Sequence, residues 1–177
     1  MKNNQEIILG GGCFWCTEAV FAGMAGVIET YPGYSGGTTA NPTYEQVCSG
    51  TTGHAEVMKL VYDEEVLPPH KILQIFFTMH DPTSLNKQGN DTGTQYRSVI
   101  YYTSPDQQKI IEDFIAEAAK DYTKPIVTEV KPLDQFYSAE DYHYNYFKNN
   151  PEQAYCSFVI APKVKKIQEK FTLSNNI

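Results

Sequence analysis

Cys13 and Cys16 flank Phe14 and the chain's only tryptophan, Trp15, directly behind Gly10, Gly11 and Gly12. A Cys-x-x-Cys can attack an electrophile, close and open a disulfide, or supply half of a zinc site. The glycines let the backbone turn sharply out of a preceding strand. Cys13, Cys16, Thr17, Val20, Phe21 and Met24 recur at helical spacing, which predicts a helix over residues 13–24 with Cys13 in its first turn. Free N–H groups and the positive end of a helix favour an anion there. A Cys13 thiolate is such an anion, so its pKa is expected to fall and its nucleophilicity to rise. A buried structural cysteine is the other reading of the same residue. Cys16, three residues on, shares the face of Cys13 and can form a disulfide with it. With Cys48 and His54 it could also complete a zinc site, although "CSGTTGH" is a loose second pair. Phe14 and Trp15 could wall a small apolar group such as a methyl, or serve as plain core.

Positioning these residues falls to a succession of strands and helices. Residues 6–9 read as a short buried strand. Residues 31–53 are rich in Gly, Pro, Ser, Thr and Asn and read as a long loop of the functional kind. Residues 55–63 read as a strand. Pro69 opens a helix carrying Ile72, Leu73, Ile75, Phe76 and Met79. Residues 80–93 form a second polar loop, and residues 96–102 a strand. Ser104-Pro105-Asp106-Gln107 reads as a capping box ahead of the stripe Ile110, Ile111, Phe114, Ile115 and Ala118. Residues 126–130 read as a strand and residues 138–147 as a short aromatic helix. Val164, Ile167 and Phe171 mark a last surface helix. Strands alternating with helices, without repeat or linker, indicate one mixed sheet with flanking helices.

The chain has 177 residues, 41% hydrophobic and 20% charged, which suits one globular domain. Its formal charge of −7 argues against a nucleic-acid surface. Its longest apolar run, residues 19–28, is too short to span a bilayer, and "MKNNQEIILG" lacks a secretory core. A cytoplasmic monomer without membrane contact is therefore expected. The four cysteines, Cys13, Cys16, Cys48 and Cys156, fit metal binding, redox catalysis or core filling in a reducing compartment. Among 13 tyrosines, some are expected in the core and some at a site.

"GGGCFWCTEAVF" resembles the signature of the methionine sulfoxide reductase A family: Gly-Cys-Phe-Trp, then Gly or Cys, then a Glu two residues on, here Glu18. "GYSGGTTANPTYEQVCSGTTGHAEV", "HDPTSLNKQGNDTGTQYRSVIY" and "FYSAEDYHYNYFKNNPEQAYC" follow the family pattern in the same order, so the resemblance covers nearly the whole chain. The fold class to expect is α+β: a single domain over residues 1–177, with a mixed β-sheet, flanking helices and a ferredoxin-like core. A long irregular C-terminal tail from about residue 132 would carry a recycling cysteine. The activity implied is reduction of the S epimer of methionine sulfoxide, free or in proteins, to methionine.

The resemblance implies a role for each matching residue. Cys13 would attack the sulfoxide sulfur and become a sulfenic acid. Phe14 and Trp15 would hold the substrate methyl. Glu56 would protonate or hydrogen-bond the sulfoxide oxygen, Tyr44 and Tyr96 would donate to it, and Asp91 would help bind substrate. Sulfoxide oxygen leaves poorly unless its charge is neutralised, so an acid and two hydroxyls suit the task. Glu56 would need a raised pKa, which burial among aromatics gives. Without the resemblance, Glu56 is a strand residue on the face of Met58, Leu60 and Tyr62, Tyr44 and Tyr96 are turn or core residues, and Asp91 is a turn residue. His54 and His80 receive no catalytic role, and His70 and His143 read as surface or helix-packing residues.

A sulfenic acid is cleared by a second thiol. Family members use either a tail cysteine, here Cys156, or the second cysteine of Gly-Cys-Phe-Trp-Cys, here Cys16. This chain has one tail cysteine where some members have two. Either Cys156 attacks Cys13 directly, or Cys16 attacks first and Cys156 relays the disulfide. Cys48 reads as structural. The resemblance implies no bound cofactor or metal, with thioredoxin, or dithiothreitol in its place, as reductant. A glutaredoxin-like thiol-disulfide oxidoreductase is the competing enzyme reading, and a zinc-binding module the non-enzymatic one.

Overall fold

In the computed structural model, which describes residues 4–172, Ile7, Ile8 and Leu9 of β1 (Asn4–Gly10) have no exposed surface. A strand apolar on both faces must be covered on both. Ile7 and Leu9 face the main core, and Ile8 joins Ala55, Val57, Val99 and Tyr101 in a smaller cluster behind the sheet. After β1 come α1 (Phe14–Phe21), β2 (Val27–Ser35), α2 (Tyr44–Cys48), β3 (Ala55–Asp63) and α3 (Pro69–Met79). A two-residue pair, β4 (Lys87–Gln88) and β5 (Asp91–Thr92), leads to β6 (Val99–Tyr102), α4 (Pro105–Ala118) and β7 (Glu129–Pro132). The chain ends in β8 (Phe136–Ser138), α5 (Tyr146–Asn149) and α6 (Ala161–Thr172).

The six-stranded sheet has the order β7-β6-β1-β3-β2-β8. Its pairings are antiparallel except for the parallel β6–β7 pair, so the sheet is mixed. The fold is α+β, with helices flanking one sheet. β3 and α3 lie where the sequence places them, with Pro69 in the first turn of α3. Ser104 caps α4 by accepting the Gln107 N–H, and Gln107 reaches across to the Glu6 carbonyl.

Several boundaries differ from the sequence expectation. α1 stops at Phe21 because Ala22, with ψ 128, leaves the helical path and Gly23 follows at φ +82. Tyr31–Ser35 belongs to β2, where hydrogen bonds to β3 and β8 override a Gly- and Pro-rich composition. Within the same stretch Thr43 and Gln46 form a reciprocal capping box that starts α2. Tyr96 lies in a 3-10 turn ahead of β6, and the strand expected over 126–130 is displaced to Glu129–Pro132.

The C-terminal part is not an irregular tail. β8 closes the β2 edge of the sheet, so close that a Cβ on Gly33 would run into the Phe136 ring. The helix expected over 138–147 is instead the end of β8, a 3-10 turn at Asp141–His143 and the start of α5. A π turn, Cys156–Ile160, runs into α6, which packs on α1 and α3 and buries Ile160 and Ile167. Residues 1–3 and 173–177 of the expected single domain lie outside the described residues.

Candidate active site

Gly12 has φ +99, a conformation that favours glycine, and it swings the chain from β1 into α1. Cys13 is thereby the N-cap of α1 rather than a first-turn residue. Glu56 arrives from β3. Side chains alternate along a strand, so Glu56 shares the helix-facing side of β3 with Met58, Leu60 and Tyr62. It is 1% exposed, and its Oε2 accepts the N–H of Phe14 at 3.1 Å. Burial raises the Glu56 carboxyl to about 8, although the Phe14 N–H favours its ionised form. Near neutral pH the group therefore carries a proton.

The thiols invert the sequence expectation. Burial, then the hydrogen bond to Cys16, then the Glu56 charge lift Cys13 well above an ordinary cysteine. The N–H of Trp15 opposes them and is outweighed. Cys16 falls to about 7, chiefly through the hydrogen bond with Cys13, with help from the Lys163 charge. The two sulfurs thus share a hydrogen bond, with the Cys13 pKa pushed up and the Cys16 pKa pulled down. The helix start does favour an anion, but at Cys13 desolvation outweighs it.

Tyr44 and Tyr96 feel the same charges. Burial, followed by the Glu56 charge, raises both Tyr44 and Tyr96, and each also feels Cys13. Phe14 is fully buried, and Trp15 is partly buried beside it. Phe14 packs against Tyr34 (5.7 Å between centroids), Tyr44 (6.4 Å) and His143 (4.9 Å). Asp91 lies on the Cys16 side: it accepts the Tyr155 hydroxyl at 2.6 Å, and that oxygen is 3.8 Å from Cys16 Sγ. Cys156, next along the chain, is buried, and the Cys16 charge adds to the rise of its pKa. Cys48 is an exposed thiol whose hydrogen bond is with Tyr44.

His143 is not a surface residue; it has no exposed surface. The Trp15 indole N–H donates to its Nδ1 at 2.9 Å. An indole nitrogen only donates, so the His143 proton sits on Nε2, 3.8 Å from a Glu140 oxygen. Glu140 in turn accepts from the Tyr34 hydroxyl and the Tyr44 N–H. Sequence reasoning missed His143, Glu140, Tyr146 and Tyr155. The aromatic density of "DYHYNYF" was the available signal, and it reads equally well as core. Among the described residues no group of three or more His, Cys, Asp or Glu could hold a metal ion. Both ring nitrogens of His54 are occupied, by the Gly37 N–H and the Thr39 carbonyl.

A family model described as peptide methionine sulfoxide reductase matches residues 5–175. Peptide methionine sulfoxide reductase MsrA of Saccharolobus solfataricus is 55% identical over 163 residues, 92% of this chain and 92% of that protein. The protein of the same name from Leptospira borgpetersenii is 53% identical over 162 residues, again 92% of each. Among solved structures, Mxr1 from Saccharomyces cerevisiae in reduced form superposes with a TM-score of 0.82 at 33% identity, covering 86% of this chain and 89% of that one. Methionine sulfoxide reductase A of Corynebacterium diphtheriae gives 0.77 at 37% identity, covering 85% and 77%. The yeast protein in complex with Trx2 gives 0.58 at 22%, a likeness of fold, covering 81% and 84%. A match from residue 5 to residue 175, with relatives above half identity along nearly the whole chain, places the protein in the peptide methionine sulfoxide reductase family.

Proposed function

We infer that the chain reduces methionine sulfoxide to methionine, taking the S epimer, free or within oxidised proteins. One observation carries the reading: a buried carboxyl that keeps its proton near neutral pH is hydrogen-bonded to the residue beside a buried thiol. Cys13 is the nucleophile. Its sulfur bonds to the sulfoxide sulfur while its proton passes to the Cys16 thiolate. Glu56 protonates the sulfoxide oxygen, and Tyr44 and Tyr96 donate hydrogen bonds to it. The oxygen then passes to Cys13, leaving Cys13–SOH and a thioether, so one sulfur is oxidised as the other is reduced. Phe14 and Trp15 hold the methyl, and Asp91 orders the substrate side together with Tyr155.

Cys16 clears the sulfenic acid first, because it already touches Cys13. A Cys13–Cys16 disulfide forms and water leaves. Cys156 then attacks Cys16, forming a second disulfide and freeing Cys13. Thioredoxin supplies the last two electrons, a reductant motivated by the family resemblance and by the complex known for the yeast relative. We place the enzyme in a reducing compartment, the cytoplasm, as a monomeric single domain. Among the described residues no helix is long and apolar enough to cross a membrane. The order β6-β1-β3-β2, all antiparallel, with α1 between β1 and β2 and α3 between β3 and β6, supports a ferredoxin-like core.

Separated S and R epimers of methionine sulfoxide, incubated with protein and dithiothreitol, test the activity. Methionine is expected from the S epimer alone. Methionine from neither epimer, with glutathione-dependent disulfide exchange present, would move the assignment to the glutaredoxin-like reading. Order of resolution is read from Cys16→Ser. Without reductant it should still make one methionine per enzyme, and thioredoxin-driven turnover should fall by about tenfold or more. Full thioredoxin turnover in Cys16→Ser would assign resolution to Cys156 directly.

A further inference from the structure

Glu18 lies on α1 three residues after Trp15, the spacing of neighbours on a helix. It is 3% exposed. Its Oε1 accepts the backbone N–H of Asn145, and its Oε2 has no hydrogen-bond partner among the described residues. Burying a carboxyl for a single backbone contact is costly, and an apolar side chain would fill the same space. The partner shows what the contact achieves. Asn145 has φ +51, a left-handed conformation seldom taken by a non-glycine residue. It is also the N-cap of α5, which has four residues and no side-chain cap at its start. So short a helix does not hold itself in place. Tyr146, the first residue of α5, lies flat on the Trp15 indole, with 3.7 Å between centroids and 6° between planes.

We propose that Glu18 is a positioning residue: gripping the Asn145 N–H from inside α1, it seats Tyr146 on Trp15 and fixes the indole as a rigid wall of the substrate site. The inference rests on the reading of Trp15 as the methyl-binding wall. Two of the ring's constraints are then the His143 hydrogen bond at its nitrogen and the Tyr146 face on its plane. Both belong to the segment that follows β8, so anchoring Asn145 sets where that segment begins its last turns. The carboxyl itself is lifted to about 7 by burial, with the Asn145 N–H pulling the other way.

Trp15 is the sole tryptophan, so the near-ultraviolet circular dichroism of the protein reports its stack without interference from other indoles. Glu18→Leu should weaken the tryptophan band and raise KM for methionine sulfoxide about three- to tenfold, the value of one aromatic pair, with kcat little changed. Glu18→Gln should restore both, since its amide oxygen accepts the same N–H. Tyr146→Leu should give the same rise in KM with Glu18 intact, and Glu18→Leu added to it should add nothing. Glu18→Leu with normal KM and band, or with only a lower thermal midpoint, overturns the proposal. So does a Glu18→Gln protein that behaves like Glu18→Leu. If Glu18→Leu does not fold, an unchanged KM in Tyr146→Leu overturns it alone. An unchanged KM in Trp15→Ala would instead remove the wall reading, and the dichroism would still decide whether Glu18 holds the stack.

Discussion

Cys13→Ser will abolish methionine production from the S epimer, by about 10⁴-fold or more, with dithiothreitol and with thioredoxin alike. A serine hydroxyl keeps the shape of the N-cap but cannot take up the oxygen as sulfur does. Cys16 cannot substitute for it. Its lower pKa makes it the readier thiolate, yet it lies one helical turn inside α1 against Tyr155, away from the Glu56 hydrogen bond at Phe14. The fold should survive the change, because the turn into α1 depends on Gly12 and the buried faces of α1, not on the Cys13 side chain. Turnover by Cys13→Ser within about tenfold of wild type would transfer the nucleophile to another cysteine and dismantle the mechanism. Thiol counting on the variant, which should read three where the wild type reads four, guards against contamination.

Glu56→Gln should lower kcat by about 10²- to 10³-fold while leaving KM nearly unchanged. The amide oxygen still accepts the Phe14 N–H, so the start of α1 stays in place. What disappears is the proton. The pH profile identifies it: an acid must be protonated to act, so wild-type kcat should fall as pH rises through about 8, and the variant should lack that limb. Stability changes in the same sense. Glu56 holds its proton up to about 8 when folded against 4.5 as a free group, so between those values the folded state binds more protons than the unfolded state. Stability therefore declines with rising pH across that window, and Glu56→Gln should flatten the decline. A variant with normal kcat and an unaltered alkaline limb would remove Glu56 from the chemistry.

The sequence shows the frame of the site better than its walls. Residues 55–63 are rich in apolar and β-branched residues between turn-forming stretches, so β3 and the face that Glu56 shares with Met58 and Leu60 are visible in advance. Pro69 and Ser104 likewise announce α3 and α4. β2 is hidden because Pro32 and Gly33 carry turn chemistry, and only pairing with two long-range neighbours makes them a strand. The C-terminal elements are hidden for a related reason. β8 is three residues long and α5 four, too short for a period to develop. His143 could not be placed, since its partner Trp15 is 128 residues away in sequence. The direction of the Cys13 shift is not legible in the sequence, because a helix terminus is a local feature whereas burial depends on everything folded around it.

The protonated state of Cys13 has a consequence for an enzyme whose substrate is made by oxidants. Peroxide attacks thiolates, not thiols, and repeated attack carries cysteine to sulfinic and sulfonic acids, beyond rescue by thioredoxin. A sulfur whose pKa is held up by burial, and which is 9% exposed, is a poor target for peroxide. Burial thus protects the sulfur that can least be lost during the bursts of oxidation in which repair is needed.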